Sequence, residues 1–138
     1  MKKREPISHI MTKTVLTVKE EDQLRDAVSL INKNNIRHLP VVKGGKVSGI
    51  ISSTDVNRLT FSGLFNNQEG ADEAVLDMLS ITQVMTHHPV SVNSDTLIKQ
   101  VAELFVDNGF HAMPVINDGK LEGIVTTTDV IKYLLDQY

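Results

Sequence analysis

The residues with most to offer chemically are Ser52, Thr54 and Asp55, because the chain carries them twice. They lie in Gly49-Ile50-Ile51-Ser52-Ser53-Thr54-Asp55-Val56, and the second copy is Gly123-Ile124-Val125-Thr126-Thr127-Thr128-Asp129-Val130. The offset is 129 − 55 = 74 residues. In each copy an apolar run enters a cluster of hydroxyls, then an acid, then a new apolar pattern. That is a strand running into a helix start. Open N–H groups at a helix N-terminus attract anions, and neighbouring hydroxyls add donors for a phosphate. A carboxylate just beyond the cap can accept both hydrogen bonds of a ribose diol. Capping alone explains part of the pattern: Thr54 and Thr128 are read as N-caps, with Asp55 and Asp129 in the first turn, where an acid suits the dipole. Ser52 and Thr126, two residues ahead of those caps, are left over.

Other chemistries find less support. The hydroxyl–acid pairs have no histidine inside the repeated motif to act as base, and no serine nucleophile elbow is present. Gly44-Gly45-Lys46 falls in a hairpin turn rather than in a phosphate-cradling Gly-rich loop. The expectation is therefore a protein that is not an enzyme. His87-His88 invites a metal, but adjacent residues in an extended segment point to opposite faces, and no metal is expected. Met11, Met78, Met85 and Met113 read as core or as lining of an apolar slot.

The 138 residues make one domain or two half-size units sharing a core. A net charge of −3 gives no positive field for nucleic acid or anionic membrane, and Lys2-Lys3-Arg4 reads as a solvated terminus. No apolar run approaches the roughly 18 residues of a membrane span. The absence of cysteine excludes disulfides and thiol catalysis and fits a cytoplasmic location.

The elements that must position the motif follow the same repeat, residues 7–59 lying over 81–133. Each copy opens with an extended run, Val15 to Val18 or Pro89 to Val92. Helical spacing follows, Leu24, Ala27, Val28, Ile31 and then Ile98, Val101, Ala102, Phe105. Caps are expected at Glu20-Glu21 and at Ser94 or Asp95, and ends at Asn34-Asn35 and Asn108-Gly109. Hairpins come next, turning at Gly44-Gly45 and Asp118-Gly119, with Pro40 and Pro114 near the starts of their strands. Closing helices run from Thr54 to about Phe61 and from Thr128 to about Leu135. Residues 62–70 look like loop, and Ala71 to Leu79 reads as a connecting helix beside the second repeat.

In order, Ser8-His9-Ile10-Met11-Thr12, His38-Leu39-Pro40-Val41-Val42 and Gly49 to Val56 resemble the CBS domain, named after cystathionine β-synthase. Thr82-Gln83-Val84-Met85-Thr86 opens the second set, and the tandem pair resembles a Bateman module. The acid that commonly leads the first motif is missing from both copies. The resemblance implies an α/β (α+β) fold of two repeats, each strand-helix-strand-strand-helix, packed through their sheets with pseudo-twofold symmetry. It divides the chain into a tail at 1–6, repeats at 7–61 and 81–138, and a linker with a short helix at 62–80.

It further implies a regulatory module binding an adenosyl ligand in clefts between the repeats. AMP, ADP, ATP and S-adenosylmethionine remain open as that ligand, with no obligatory cofactor. Residue by residue, one cleft takes Thr12, Thr17, Ile36, Arg37, His111, Ile124, Thr126, Thr128 and Asp129. The other takes Thr86, Ser91, Phe110, His111, Arg37, Ile50, Ser52, Thr54 and Asp55. The acids would hold ribose and the hydroxyls phosphate, with Arg37, His111, Arg58 and Lys132 as candidate positive charges. A homodimer and a regulated protein partner are implied too. A ligand-free module for dimerisation or partner docking is the alternative.

Overall fold

The computed structural model describes residues 4–13, 15–64 and 69–138. The chain divides into two compact units: a leading unit, Leu16–Pro89, and a trailing unit made of Val90–Tyr138 together with Met1–Val15. The sequence repeats and the folded units therefore part the chain at different places. The segment that opens each repeat is built into the unit formed by the rest of the other.

In the leading unit, β1 (Val18–Lys19) runs parallel to β2 (His38–Lys43), which pairs antiparallel with β3 (Lys46–Ser52), and β3 pairs with β4 (Thr86–His87). The helices are α1 (Leu24–Asn34), α2 (Ser53–Leu64), α3 (Glu69–Met78) and the single turn α4 (Ile81–Val84). The trailing unit repeats the plan with α5 (Ile98–Asn108), β5 (Ala112–Asn117), β6 (Lys120–Thr126) and α6 (Thr127–Asp136). Its outer strands are reduced to single bridges, Val92 beside Val115 and Thr12 beside Ile124. The extended runs expected at Val15–Val18 and Pro89–Val92 are thus mostly irregular chain.

The hairpins turn where two consecutive residues take positive φ, Gly44 and Gly45 at 58° and 79°, Asp118 and Gly119 at 50° and 79°. That double left-handed geometry matches the twist of the flanking strands. Pro114 sits third in β5, not first. It survives there because its carbonyl accepts the Val92 N–H (3.1 Å), so its ring nitrogen faces the same side, ahead of the point where that pairing begins.

α1 and α5 end as expected, on left-handed Asn35 (φ 51°) and Gly109 (φ 76°). Their starts lie later than expected. Asp26 accepts the Gln23 N–H (3.3 Å) and Gln100 accepts the Leu97 N–H (3.0 Å), so Gln23 and Leu97 are the caps. Glu20-Glu21, Ser94 and Asp95 lie in the preceding turns.

Each unit has its own core. Leu24, Ala27, Val28 and Ile31 meet Leu39, Val41, Ile51 and Val56, with Ile81 and Met85 completing the leading unit. Ile98, Val101 and Phe105 meet Met113, Val115, Val125, Val130 and Tyr133, with Ile7 completing the trailing one. Ile7 and Ile81 are matched residues of the two repeats, and both are fully buried.

The linker differs from expectation. α2 extends to Leu64 and α3 begins at Glu69, so helix covers much of the supposed loop, and residues 65–68 lie outside the described residues. α3 packs on α1 and α2, beside the first repeat rather than the second, with Leu76 and Leu79 against that core. Asp77 pairs with Arg25 of α1. Met78, read as core, is instead 80% exposed.

Candidate functional site

The two repeated motifs form the same structure. Ser52 N–H donates to the Asp55 carboxylate (3.0 Å), and Asp55 N–H donates to the Ser52 hydroxyl (3.1 Å). Thr126 and Asp129 do likewise, at 3.0 and 3.1 Å. These are reciprocal capping boxes. Ser52 and Thr126 are therefore the caps, which corrects the reading of Thr54 and Thr128 in that role. The leftover hydroxyls have their explanation, and the residues now lacking a structural task are the two threonines.

The other amides of the first turn sharpen the point. Ser53 N–H donates to the Arg37 carbonyl (2.7 Å), and Thr127 N–H to the His111 carbonyl (3.0 Å). The box takes the amides of Asp55 and Asp129. The amides of Thr54 and Thr128 form no hydrogen bond with any described residue, and both side chains are exposed. Each carboxylate spends one oxygen, Oδ2, on the box. The motif thus presents an N–H, a hydroxyl and one carboxylate oxygen together at a helix start, where the dipole is positive.

The opening segment of the opposite repeat lies along the strand that leads into each motif. Thr12 and Ile124 exchange N–H···O bonds (2.9 and 3.0 Å), and Thr86 stands opposite Ile50 in the ladder of β3 and β4. Gly49 and Gly123 make this approach possible. A Cβ at Gly123 would lie 2.7 Å from the Thr12 carbonyl oxygen, and one at Gly49 would lie 2.9 Å from that of Thr86 and against the Met85 thioether. Sequence reasoning gave these glycines no task, although their place in the repeat was the available signal.

The trailing unit thus holds Thr12, Ser91, Phe110, His111, Ile124, Thr126, Thr128 and Asp129, and the leading unit holds Thr17, Ile36, Arg37, Ile50, Ser52, Thr54, Asp55 and Thr86. Arg37 and His111 are tied by their carbonyls to a helix start and leave their side chains exposed. Ile36 and Phe110 pack partly into their cores, Phe110 edge-on to Phe105 with ring centroids 6.0 Å apart. Thr12, Thr17, Thr86 and Ser91 are exposed, as are Arg58 and Lys132. His87 is engaged with the Thr82 carbonyl (2.7 Å). Among the described residues no three His, Cys, Asp or Glu side chains gather as metal ligands.

A model of the CBS domain family matches this chain twice, over residues 7–61 and 81–136. The chain belongs to the CBS domain family. This CBS pair is 30% identical over 131 residues to protein MJ1225 of Methanocaldococcus jannaschii, covering 94% of this chain and 47% of that protein. It spans about half or less of the length of the curated relatives MJ1225 and MJ1404, at 47% and 32%. The crystal structure of MJ1225 aligns with a TM-score of 0.80 at 29% identity, covering 97% of this chain and 49% of that one. The CBS domain pair of protein MJ0100, solved in complex with 5′-methylthioadenosine and S-adenosyl-L-methionine, aligns with a TM-score of 0.78 at 25% identity over 96% of this chain and 98% of that one. CBSX2, a CBS-pair protein of Arabidopsis thaliana, was solved in complex with AMP, and that structure gives 0.77, 25%, 96% and 98% in the same order. Among the described residues no helix of this CBS pair is long and apolar enough to cross a membrane.

Proposed function

We propose that this CBS pair is a regulatory module that binds an adenosyl ligand, through Thr54 and Asp55 at the start of α2 and Thr128 and Asp129 at the start of α6. The observation that carries the reading is the open amide beside an exposed threonine hydroxyl and a half-used carboxylate, kept alike in both copies. The hydroxyl and amide suit a phosphate or carboxylate of the ligand, and the free carboxylate oxygen suits a ribose hydroxyl. Arg37 stands beside the start of α2 as a source of positive charge, and the His111 imidazole stands beside the start of α6 as a hydrogen-bonding group. Ile50 and Ile124, with Thr12 and Thr86 alongside, offer the apolar edge and backbone groups that an adenine requires. The adenosyl ligands carried by MJ0100 and CBSX2 support the same chemistry. Regulation acts by shifting how the chain packs with a second copy or a protein partner, and no catalytic step is assigned to it.

The test is thermal denaturation of the full chain against AMP, ADP, ATP, S-adenosylmethionine and 5′-methylthioadenosine. A ligand at 100 times its Kd stabilises by about 2.7 kcal/mol. Unshifted melting with the whole panel would overturn the reading in favour of a ligand-free docking module.

A further inference from the structure

Four methionines stand among the described residues, and burial sorts them. Met78 is 80% exposed, Met85 7% and Met113 0%, while Met11 is half-buried. Met11 and Met85 are matched residues of the two repeats, and each sets its thioether on the glycine that precedes a ligand motif. The Met11 sulfur lies 2.9 Å from where a Cβ of Gly123 would be, and its Cγ 3.2 Å from it. The same side chain packs beside the core of the trailing unit. Thr12, the residue after Met11, exchanges backbone bonds with Ile124, the residue after Gly123.

A thioether is apolar and adaptable, so it fits a surface of glycine backbone and core side chains. A sulfoxide is polar and adds a hydrogen-bond acceptor. Against Gly123 that oxygen has to find a donor or leave, and the amides of Thr12 and Ile124 are already spent on each other. It therefore competes for the bonds that hold the opening segment to β6. Met85, sealed in the leading core, is shielded from the same reaction.

We propose that Met11 is a site of reversible oxidation by hydroperoxides, whose sulfoxide loosens the opening segment from β6 and lowers ligand affinity at the start of α6. The effect on affinity rests on the adenosyl reading above. A sulfur lone pair attacks the terminal oxygen of ROOH, the O–O bond breaks, an S–O bond forms, and ROH leaves with the proton. Sulfur loses two electrons and the peroxide gains them. A dithiol-dependent methionine sulfoxide reductase reverses the step, releasing the oxygen as water and leaving a disulfide on the dithiol.

The test treats the full chain with increasing hydrogen peroxide and follows each methionine by peptide mass spectrometry. Met78 is expected to oxidise first, Met11 next, and Met85 and Met113 last. Amide hydrogen exchange at Thr12 and Ile124 is expected to quicken at least about threefold as Met11 oxidises, with Thr86 and Ile50 unchanged. The melting shift given by AMP, ADP or ATP falls in step, and methionine sulfoxide reductase restores both. Met11→Leu, close in volume, abolishes the response, and Met78→Leu leaves it intact. Met11 staying reduced until Met85 oxidises overturns the proposal. So does unchanged exchange at Thr12 and Ile124 once Met11 is oxidised, or an equal response in Met11→Leu. A reduced chain that no ligand of the panel stabilises overturns the adenosyl reading alone, and exchange at Thr12 and Ile124 still decides the oxidation.

Discussion

Thr12 and Ile124 exchange two backbone hydrogen bonds, at 2.9 and 3.0 Å, although one lies in the opening segment of the first repeat and the other in the last strand of the second. The close approach depends on Gly123. Gly123→Ala drives a methyl group to 2.7 Å from the Thr12 carbonyl oxygen, which is backbone and cannot swing aside. A loss of about 1–3 kcal/mol is expected by urea denaturation. Gly49→Ala meets the mobile end of Met85 first, with the Thr86 carbonyl behind it at 2.9 Å, and is expected to cost less.

Ligand binding and folding separate at the two motifs. Asp55→Ala or Asp129→Ala removes half of a capping box as well as a ligand group, and is expected to cost roughly 1 kcal/mol before any ligand is added. Thr54→Val and Thr128→Val remove exposed hydroxyls that hydrogen-bond to no described residue. Their unliganded stability is expected to stay within about 0.5 kcal/mol of wild type, while the ligand-induced rise in melting temperature falls. Differential scanning fluorimetry with and without ligand reads both. An undiminished ligand shift in the two variants and their combination would remove the hydroxyls from the site.

Alkaline titration probes the docking of the opening segment. Glu5 raises the Tyr133 phenol above its ordinary value of 10.0, by hydrogen bonding first, then burial and repulsion of the phenolate. No described residue reaches the oxygen in standard hydrogen-bond geometry, so the attraction is a loose one. A raised phenol pKa favours the protonated folded state. Its contribution to stability is complete below the unfolded value near 10 and is lost as pH rises through the folded value. Absorbance titration should show a late phenol step from Tyr133. Glu5→Gln brings the Tyr133 step down.

The Arg25–Asp77 pair and the apolar contact of Leu79, the residue that follows α3, hold that helix unequally. The pair is solvated, with side chains 43% and 63% exposed, and Arg25→Ala is expected to cost under about 1 kcal/mol. Leu79→Ala, which removes a side chain packed on the core, should cost about 2 kcal/mol, the low end for a leucine truncation at a partly buried site. Hydrogen exchange of α3 amides would rank the two.

Much of the fold was legible because a repeat checks itself. The offset of 74 aligned Gly45 with Gly119, Pro40 with Pro114 and Asp55 with Asp129, and the hairpins and the closing strand-to-helix turns follow from those pairs. Spacing could not say which copy an opening segment docks on. Ile7 and Ile81 have equivalent neighbours in sequence, and the exchange becomes visible only where Ile7 reaches the core of Val101 and Met113. The caps were misassigned for a local reason. Ser52, Ser53 and Thr54 are all able caps, and only the distance to the Asp55 carboxylate selects the first of them. α3 carries an apolar stripe that fits either repeat, and Arg25 against Asp77 marks the one it joins.

The exchanged opening segments make each half of the chain a poor candidate for independent life. A fragment ending within residues 65–68 would keep an Ile7 that belongs to the absent half and would lack the Ile81 and Met85 that plug its own interior. Two such fragments, expressed together, should find one another and refold as a non-covalent pair, whereas either alone should be degraded.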